Sequence, residues 1–600
     1  MEKPKQKNQP ARTIRRDHSP SSWLQMPRNT QLFIIACAAL LVYANSIGGQ
    51  FVFDDTVIIQ GNKSIQGLGP AQLKEIFGGH YWKVVESQGG LYRPVVMLSY
   101  AFNNALGGEN PAGYHLLNIL IHTANGILLF LILELLFARR AFSFLSSLFF
   151  VLHPIRTEGV ASIVGRAESL SALFLLLAWY AYIKCRKDHK GKWLWLSAIC
   201  FALAALCKES AFAFIIFPLF TDWVLERGRP AAQLFNRAAV WRYLPFGATL
   251  LVVLALRVII LGGLSPLYIN PNSNPLAALG IWGRSINATS VFARYLGLLI
   301  LPINLSADYS FNQIPIVASI LPWHAWAPLL LLALLLGGMV VSFRRAPEYF
   351  FCGFVFFSSF LLTSNWIQPI GTIMGERLMY FPAIGYDCLL ALLLIRGMAN
   401  KSWQRVWQAA VILILVGYGV RVIGRNSDWK DNYSLFSSAL QTSPNSALVQ
   451  ANYATLTLME KNNPAEAAEH ARLAVQISPR DPAARFTLAR AYARLGQLPQ
   501  AVDAYAEVVR LAPRTSGGAN ALSEMAEVYE SMGKHDKATG CYETLVEWRP
   551  KDVAGHLALQ RAYRRLGQND KAAKTLERVA AIAPNDPRVV KAMQKSSSYP

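Results

Sequence analysis

The chain of 600 residues is poor in charge and carries none of the common nucleotide-binding or hydrolase motifs. Charged residues make up 16% of it and hydrophobic residues 53%, which is too apolar for a single soluble domain. Its seven cysteines show neither the spacing of a disulfide framework nor that of a zinc site. The sequence has no P-loop, Rossmann glycine pattern, serine-hydrolase elbow or zinc-binding helix. These absences argue against an ATP-driven transporter.

Long apolar runs recur over the first two thirds of the chain. Most have about 17–22 residues, enough to cross a hydrocarbon core of ~30 Å. We predict about eleven spans, at 31–48, 115–137, 141–153, 168–184, 193–207, 210–225, 243–262, 325–342, 349–365, 378–395 and 406–423. After Asn426 the composition becomes that of soluble helices. The sequence therefore predicts an all-α protein, a polytopic membrane helix bundle followed by a soluble α-solenoid.

Basic residues cluster at alternate connections between these spans, which indicates topology and does not argue for nucleic acid binding. The pattern predicts a cytoplasmic basic tail over 1–30, a membrane domain over 31–425 and a domain on the opposite side over 426–600. Two long outer loops follow, 49–113 and 263–324. The stretch Ser290–Leu305 is apolar enough to span. We place it in the second loop as a re-entrant or interfacial helix, because an extra span would reverse the charge pattern after it.

The C-terminal region repeats at intervals close to the ~34 residues of a two-helix repeat. Repeat ends are marked by Pro479, Pro513, Pro550 and Pro584. Glycines at hairpin turns and small residues between helices recur in register: Gly496, Gly533, Gly567, Ala501, Ala538 and Ala572. We predict about four tetratricopeptide-like hairpins between 446 and 584. Such arrays bind peptides or proteins on a concave surface. A rigid spacer without a ligand is the alternative.

Two adjacent carboxylates, Asp54 and Asp55, directly follow the first span in "FVFDDTVIIQGN". Adjacent carboxylates repel each other and need solvent or cationic partners. On the outer face one of them could act as a general base toward a hydroxyl. The alternative is an ordinary polar end of a span.

Ionisable residues also occur at other span ends that we place near the outer face, where they are costly unless paired or functional. Cations suit a phosphate group, and arginine can bind it with two hydrogen bonds. The candidate phosphate ligands are Arg156, Lys208 and Arg377. Further candidates for lining the same cavity are Arg93, His115, His153, Glu158 and Arg166. Structural ion pairing between spans is the alternative for each of them.

The second span carries His115, Asn118, His122 and Asn125 on one helical face. The two histidines are seven residues apart, whereas paired metal ligands on a helix prefer a spacing of four. We therefore favour interhelical hydrogen bonding for this polar stripe, and we predict no metal site.

Taken together and in this order, the motifs resemble those of the transmembrane and tetratricopeptide-repeat containing proteins, O-mannosyltransferase-like enzymes of the GT-C superfamily. The resemblance covers about residues 51–387, and the C-terminal repeats add to it. Its motifs are "FVFDD", "YRP…LS…N", "H..N…H", "LHPIRTEGVASIVGRAESL", "LCKES", "RYLGLLILPINLSADYS" and "GERLMYFPAIGY".

The resemblance implies a mechanism. GT-C enzymes transfer a sugar from a polyprenyl-phosphate lipid to an acceptor outside the cytoplasm, and the implied acceptor here is a protein hydroxyl. The family's acidic residue after the first span is the base. We assign that role to Asp54, with Asp55 orienting the acceptor or a cation, although the sequence does not choose between them. Direct attack would invert the anomeric centre. No cofactor is implied beyond the lipid-linked donor, and a divalent metal is left open.

The array of about four repeats is short beside those of animal members, which favours a bacterial relative. The expected location is then the inner membrane with the repeats in the periplasm, or the endoplasmic reticulum with lumenal repeats if the source is eukaryotic. Two other functions remain open. One is a non-catalytic membrane scaffold that carries the repeats. The other is an oligosaccharide ligase or polymerase that uses a lipid pyrophosphate.

Overall fold

The computed structural model describes residues 22–82, 90–226, 237–263, 269–317 and 323–597. Every regular element in these ranges is a helix. The chain divides into two compact units. The first comprises the residues up to 309 together with 314–438, and the second comprises 310–313 with 439–600. Most of the predicted basic tail over 1–30 lies outside the described residues. The division at 438 lies beyond the domain boundary predicted at 425, which stays a prediction.

The first unit is built from α-helices joined by short 3-10 segments. The α-helices are α1 (Arg28–Tyr43), α2 (Asp54–Ile58), α3 (Pro70–Gly78), α4 (Pro94–Gly107), α5 (Pro111–Phe137), α6 (Arg140–Leu152), α7 (Thr157–Ala161), α8 (Arg166–Asp188), α9 (Gly191–Cys207), α10 (Phe217–Leu225), α11 (Arg237–Leu261), α12 (Ile281–Ile300), α13 (Trp323–Arg345), α14 (Pro347–Phe360), α15 (Ala383–Met398), α16 (Gln404–Asp428) and α17 (Asn432–Thr442), the last of which crosses into the second unit. The 3-10 segments are Ser22–Gln25, Ala44–Gly48, Lys63–Ile65, Pro154–Arg156, Glu209–Ile216, Pro275–Ala278, Leu361–Thr363 and Glu376–Met379.

Several of these helices are long and apolar enough to cross a membrane. Among the described residues there are six, Arg28–Gly48, Pro111–Phe137, Arg166–Asp188, Val240–Leu261, Ala325–Arg345 and Gln404–Asp428. Shorter apolar helices cover Arg140–Leu152, Gly191–Cys207 and Pro347–Thr363. The two remaining predicted spans, 210–225 and 378–395, each combine 3-10 and α segments. The first unit is that of a multi-pass membrane protein. Its apolar helices differ in length and regularity, whereas the sequence predicted about eleven similar spans.

Close helix packing in the core depends on a few glycines. A Cβ atom on Gly385 of α15 would lie 2.3 Å from the carbonyl oxygen of Cys352 in α14, far inside van der Waals contact. Only glycine allows this approach. The packed helices α5, α6, α8, α9 and α15 surround the largest apolar cluster, in which Trp179 is fully buried. This rigid bundle supports the polar segments at its ends.

The span-like stretch at 290–305 lies within and just after α12. One face of this helix, with Val291, Phe292 and Tyr295, is buried, whereas Trp282 and Ile300 are exposed. The helix does not meet the length and composition of a membrane span that the six helices above meet. Its placement in an outer loop stays a prediction.

The second unit forms four successive helical hairpins and a closing helix. The helices are α18 (Ala447–Met459), α19 (Pro464–Ile477), α20 (Pro482–Arg494), α21 (Leu498–Leu511), α22 (Ser516–Ser531), α23 (His535–Trp548), α24 (Val553–Arg565), α25 (Asn569–Ile582) and α26 (Pro587–Ser597). The turn glycines Gly496, Gly533 and Gly567 have φ of 75°, 72° and 71°, a conformation that favours glycine. The buried Ala501 and Ala538 let paired helices approach. The predicted tetratricopeptide-like array is confirmed.

A tetrapeptide from the long loop after α12 belongs to this second unit. The backbone of Phe311 accepts a hydrogen bond from Ala447 N at 2.7 Å, and Asn312 N donates to Asn445 O at 3.0 Å. The Gln313 side-chain oxygen accepts from Asn445 N at 3.0 Å. Residues 310–313 are therefore part of the entry to the first hairpin.

Candidate functional site

The acidic pair begins a short helix just after the first membrane span. Phe53 has φ of 54°, an unusual value for a side chain with a Cβ, and this turn starts α2 at Asp54. Phe53 N donates to the side-chain oxygen of Asn432 at 2.8 Å. Its ring packs edge-on against Phe436 with centroids 5.4 Å apart. The turn is thus held by residues that follow the last span, and it sends the two carboxylates in different directions.

Asp55 points into the protein. Its carboxylate accepts hydrogen bonds from the backbone N–H groups of Val52 at 3.1 Å, Ile163 at 3.3 Å and Val164 at 2.7 Å, and the residue is 1% exposed. Burial raises the pKa of this carboxyl to about 7. The three backbone donors oppose that rise, and the negative charge of Asp54 adds to it. We predicted that Asp55 orients the acceptor or a cation. In the structure, Asp55 instead joins the loop after α1 to the turn before α8 through these three hydrogen bonds.

Asp55→Asn is expected to lower the free energy of unfolding by about 1–3 kcal/mol, because the amide NH₂ must face at least one backbone N–H donor. A thermal melt of the detergent-solubilised protein measures this effect. Asp54→Asn, on the adjacent and partly exposed residue, is the matched control and should melt like the wild type. Equal melting of the two variants would show that the three backbone hydrogen bonds contribute little.

Asp54 lies at a partly exposed surface that it shares with Arg377, which is the opening of the site. Its side chain is 23% exposed, and Oδ2 lies 3.9 Å from Nη1 of Arg377. Burial raises the pKa of the Asp54 carboxyl above its ordinary value, Arg377 opposes that rise, and Glu158 and Asp308 add to it. A carboxylate with a raised pKa beside solvent is suited to accept a proton.

Arg377 is fixed by a second carboxylate. Its Nη1 donates to Glu158 Oε1 at 3.0 Å, and its backbone N donates to Glu158 Oε2 at 2.8 Å. Glu158 itself is 2% exposed, whereas the Arg377 side chain keeps 31% exposure. The guanidinium is therefore held in place and still accessible to a ligand. The predicted residues Asp54, Glu158 and Arg377 lie together.

The neighbouring Glu376 faces the other way. Its Oε1 accepts from the Tyr309 hydroxyl at 2.7 Å, and its Oε2 lies 3.8 Å from Nη2 of Arg425. Burial raises the pKa of Glu376 to about 7. The "GER" motif thus sends Arg377 toward the acidic pair and Glu376 toward the loop after α12 and the end of α16.

Three further basic residues near the opening are already paired. Arg93 Nη2 donates to Glu209 Oε2 at 2.9 Å, and Arg257 Nη1 donates to Glu209 Oε1 at 2.9 Å. Lys208 forms an ion pair with Glu168. Burial, with the nearby charges of Arg93 and Arg377, lowers the Lys208 pKa well below its ordinary value. Lys208, Arg93 and Arg377 therefore share one electrostatic neighbourhood. Sequence analysis missed Arg257, although a lone arginine in an apolar span was a usable signal.

Arg156 is not at this opening. It is fully buried and donates to Asp387 Oδ2 at 2.6 Å, to Tyr380 O at 3.0 Å and to Phe150 O at 3.2 Å. A guanidinium that is buried with these partners has a structural role. The predicted role of Arg156 as a phosphate ligand does not fit its position, and the partner Asp387 was not singled out from sequence.

Arg166 and His153 are likewise interior. Arg166 is 0% exposed and donates to Asn118 Oδ1 at 2.7 Å and to Tyr114 O at 2.9 Å. His153 lies 2.9 Å through Nε2 from Leu299 O and is also 0% exposed. Neither residue lines the opening beside Asp54 as predicted; they join segments of the bundle.

The polar stripe of α5 is buried throughout. Asn118 donates to Val160 O at 3.1 Å, and Asn125 donates to the Tyr380 hydroxyl at 2.9 Å. His115 is 1% exposed. The stripe joins α5 to the segments around it. Within the described ranges, no three His, Cys, Asp or Glu side chains are grouped so as to hold a metal ion.

Comparison with known families gives two matches along the chain. The family model for dolichyl-phosphate-mannose-protein mannosyltransferase matches residues 93–260. The model for the tetratricopeptide repeat matches residues 458–525 and 529–595. Among solved structures, that of MamA is similar to 30% of this chain and 96% of its own, at 22% identity and a TM-score of 0.24.

Curated relatives resemble the chain across both units. Protein O-mannosyl-transferase Tmtc3 of Drosophila melanogaster is 28% identical over 83% of this chain and 61% of its own length. Protein O-mannosyl-transferase TMTC4 of Mus musculus is 30% identical over 70% of this chain and 63% of its own length. Protein O-mannosyl-transferase TMTC3 of Homo sapiens is 25% identical over 83% and 56%. The chain thus spans about 56–63% of the length of these three relatives.

The fold and the site define a class, a multi-pass membrane protein with an acidic and basic site after its first span and a helical repeat array at its C-terminus. The matches then indicate what the chain resembles. It is similar to the TMTC protein O-mannosyl-transferases across both units, and to the dolichyl-phosphate-mannose-protein mannosyltransferase family over residues 93–260.

Proposed function

We propose that this chain is a membrane protein O-mannosyltransferase. It moves a hexose from a polyprenyl-phosphate lipid to a hydroxyl of a protein acceptor, and the tetratricopeptide repeats recruit that acceptor. The observation that carries the proposal is the placement of Asp54, partly exposed and 3.9 Å from an accessible Arg377. The family match over residues 93–260 and the names of the relatives support a hexose as the sugar that is transferred. The charge pattern of the connections supports an outer-face site.

The reaction follows from this arrangement. One carboxylate oxygen of Asp54 takes the proton from the acceptor hydroxyl as that oxygen attacks the anomeric carbon of the sugar. The bond from this carbon to the phosphate oxygen breaks, and the lipid phosphate leaves with the electron pair. Arg377 lies beside Asp54 and can stabilise the leaving phosphate with charge-assisted hydrogen bonds. The attack inverts the anomeric centre. Asp55 and Glu158 act as positioning residues, because they hold the backbone near Asp54 and the guanidinium of Arg377.

The other predicted cations have no direct role in this proposal. Lys208 and Arg93 do not contact the leaving group directly, because each is already paired with a glutamate. Arg156 takes no part, because its side chain is fully buried against Asp387.

Incubation of the purified full chain with a panel of polyprenyl-phosphate sugars and candidate acceptor proteins tests the function. Mass spectrometry of the lipid and protein pools should show consumption of one donor and a gain of one hexose on the acceptor. Addition of several linked sugars in one event would favour the ligase or polymerase. No turnover by folded protein with any donor would favour the scaffold.

The pH dependence of kcat/KM provides a separate test of the Asp54–Arg377 pair. Asp54 must be ionised to act as a base, so activity should rise with pH through a pKa above the ordinary range of aspartate. Arg377 lowers the pKa of Asp54, so Arg377→Gln should move this acidic limb to higher pH. The removal also frees the negative charge of Glu158, which acts in the same direction.

Arg344→Gln, on the cytoplasmic side in the predicted topology, is the control for loss of a positive charge and should leave the limb in place. An acidic limb that does not move in Arg377→Gln would remove Asp54 as the titrating base.

A further inference from the structure

The helical repeat array contains a broad groove lined mainly by α20 and α22. Helix α21 contributes Leu498 and Tyr505 to the lining, and the end of α18 contributes Met459. The groove has a volume of about 580 Å³, which is within the range of ligand sites. All of its lining belongs to the second unit. The groove therefore has room for a short segment of a bound chain.

Two of the charged residues in this groove neutralise each other. Arg490 Nε donates to both carboxylate oxygens of Glu524, at 3.0 and 2.8 Å. The Tyr505 hydroxyl donates to the same carboxylate at 2.8 Å. These three side chains join α20 and α21 to α22. They carry no net charge, so the charge that a ligand meets comes from the remaining lining residues.

Arg494 is a positive charge in the lining that no carboxylate of the described array pairs with. Its Nη1 donates to the backbone oxygen of Leu458 at 2.6 Å and approaches the side-chain oxygen of Asn462 at 3.4 Å. Both acceptors are neutral and lie at the end of the first helix of the array. The guanidinium is exposed. The groove is therefore positive on the side of the first hairpin.

Glu527 is the corresponding negative charge, on the side of the fourth hairpin. It is exposed and forms no hydrogen bond or ion pair with the described residues. The carboxylates of Glu524 and Glu530 and the guanidinium of Arg561 in α24 are the charges that act on it. Glu530 is paired with Arg565 at 2.9 Å. Glu527 is thus the carboxylate of the groove that is available to a ligand.

Helix α22 also presents uncharged polar groups in the lining. The Ser523 hydroxyl has no hydrogen-bond partner within the described ranges. Asn520 accepts from Arg549 Nη1 at 3.5 Å through its side-chain oxygen, which leaves its NH₂ group able to donate. A hydroxyl and a primary amide can bind the N–H and C=O groups of a peptide backbone.

We propose that this groove binds an extended peptide segment that carries an acidic side chain at Arg494 and a basic side chain at Glu527. Asn520 and Ser523 hydrogen-bond the backbone of this segment. A wholly acidic peptide would be repelled by Glu527, and a wholly basic one by Arg494. The proposal deepens the proposed function and rests on it only for the identity of the peptide as part of the acceptor protein.

Fluorescence anisotropy of labelled peptides with the full chain in detergent measures this binding without turnover. The probes are peptides of alanine and serine that carry one Asp and one Lys, in either order and at several separations. In the tightest peptide, Lys is then replaced by Gln. This change should weaken binding to the wild type about fivefold, or about 1 kcal/mol, as for a well-formed exposed ion pair. Binding to Glu527→Gln should not respond to it, because the partner charge is gone.

The acidic side chain of the peptide is tested in the same way at the other end. Replacement of its Asp by Asn should weaken binding to the wild type about fivefold and leave binding to Arg494→Gln unchanged. Arg494 also contacts α18, so Arg494→Lys, which keeps the charge, should still distinguish Asp from Asn.

Glu507→Gln is the matched control for loss of a carboxylate. Glu507 is exposed on α21, pairs with Arg510 and lies outside the groove lining, so this variant should bind and discriminate like the wild type. An effect below about twofold at either end of the peptide, or no binding of any peptide to folded wild type, would overturn the proposal.

Acceptor kinetics separate this proposal from the transferase itself. Glu527→Gln should raise the KM for a protein acceptor that carries the segment and leave kcat unchanged. An active enzyme with an unchanged KM in this variant would overturn the role of the groove in acceptor binding and leave the transferase intact. Peptide binding that depends on Glu527 and Arg494 in a chain without turnover would retain the groove and remove the transferase.

Discussion

Replacement of Asp54 by asparagine is expected to lower kcat by about 100- to 10,000-fold, the usual cost of losing a general base. Asparagine keeps the shape of the side chain and cannot accept the proton of the acceptor hydroxyl. The loss should appear mainly in kcat, because the sugar and lipid of the donor retain their contacts. Single-turnover assays with the active donor, read by mass spectrometry, measure the effect.

The fold should tolerate this change. Asp54 is partly exposed, and its nearest cation is already held by Glu158. A wild-type melting temperature in Asp54→Asn, beside a lowered one in Asp55→Asn, would separate the chemical role from the structural role. Wild-type turnover in Asp54→Asn would discard Asp54 as the base while leaving the transferase in place.

Asp387→Asn is expected to destabilise the membrane unit by about 3–5 kcal/mol, the cost of leaving one buried charge without its partner. Arg156 and Asp387 both have 0% exposed side chains and are joined at 2.6 Å. The guanidinium also lies over the Phe150 ring, 4.2 Å from its centroid. Thermal unfolding in detergent measures the loss.

A double variant provides the control for this pair. Arg156→Met with Asp387→Leu removes both charges, and buried pairs replaced by apolar residues often lose little stability. The double variant should therefore melt above the single Asp387→Asn variant. Normal melting of Asp387→Asn together with a raised KM for the donor would return Arg156 to the phosphate site.

Much of the architecture could be predicted from the sequence, because the patterns that indicate helices and repeats are local. Apolar length identifies most of the long helices, and a repeating Gly at the hairpin turns identifies the array, since each turn needs a positive φ. Asp54 was located by its position after the first span. Asp54 and Asp55 point in different directions because Phe53 has a φ of 54° and because the backbone N–H groups of Ile163 and Val164 bind only Asp55. Those donors lie more than a hundred residues away and leave no local pattern.

The assignment of the cations depended on the same kind of distant partner. Arg156 and Arg377 look alike in sequence, because each lies within two residues of a glutamate near the end of an apolar run. One pairs with Asp387, 231 residues away, and is enclosed, whereas the other pairs with Glu158 and keeps 31% exposure. The burial of each arginine decides whether its role is structural or in binding. Burial depends on how the bundle packs, and the spacing of the motifs does not predict it.

The repeat array cannot be treated as a simple C-terminal module. Residues 310–313 complete the start of its first hairpin, although they lie well over a hundred residues before α18 in sequence. A fragment that begins at 439 would lack the backbone acceptor of Ala447 N and the side-chain acceptor of Asn445 N. A chimaera that receives the repeats of a relative is therefore expected to need that relative's equivalent of residues 310–313 as well, although the two stretches are separate in the gene.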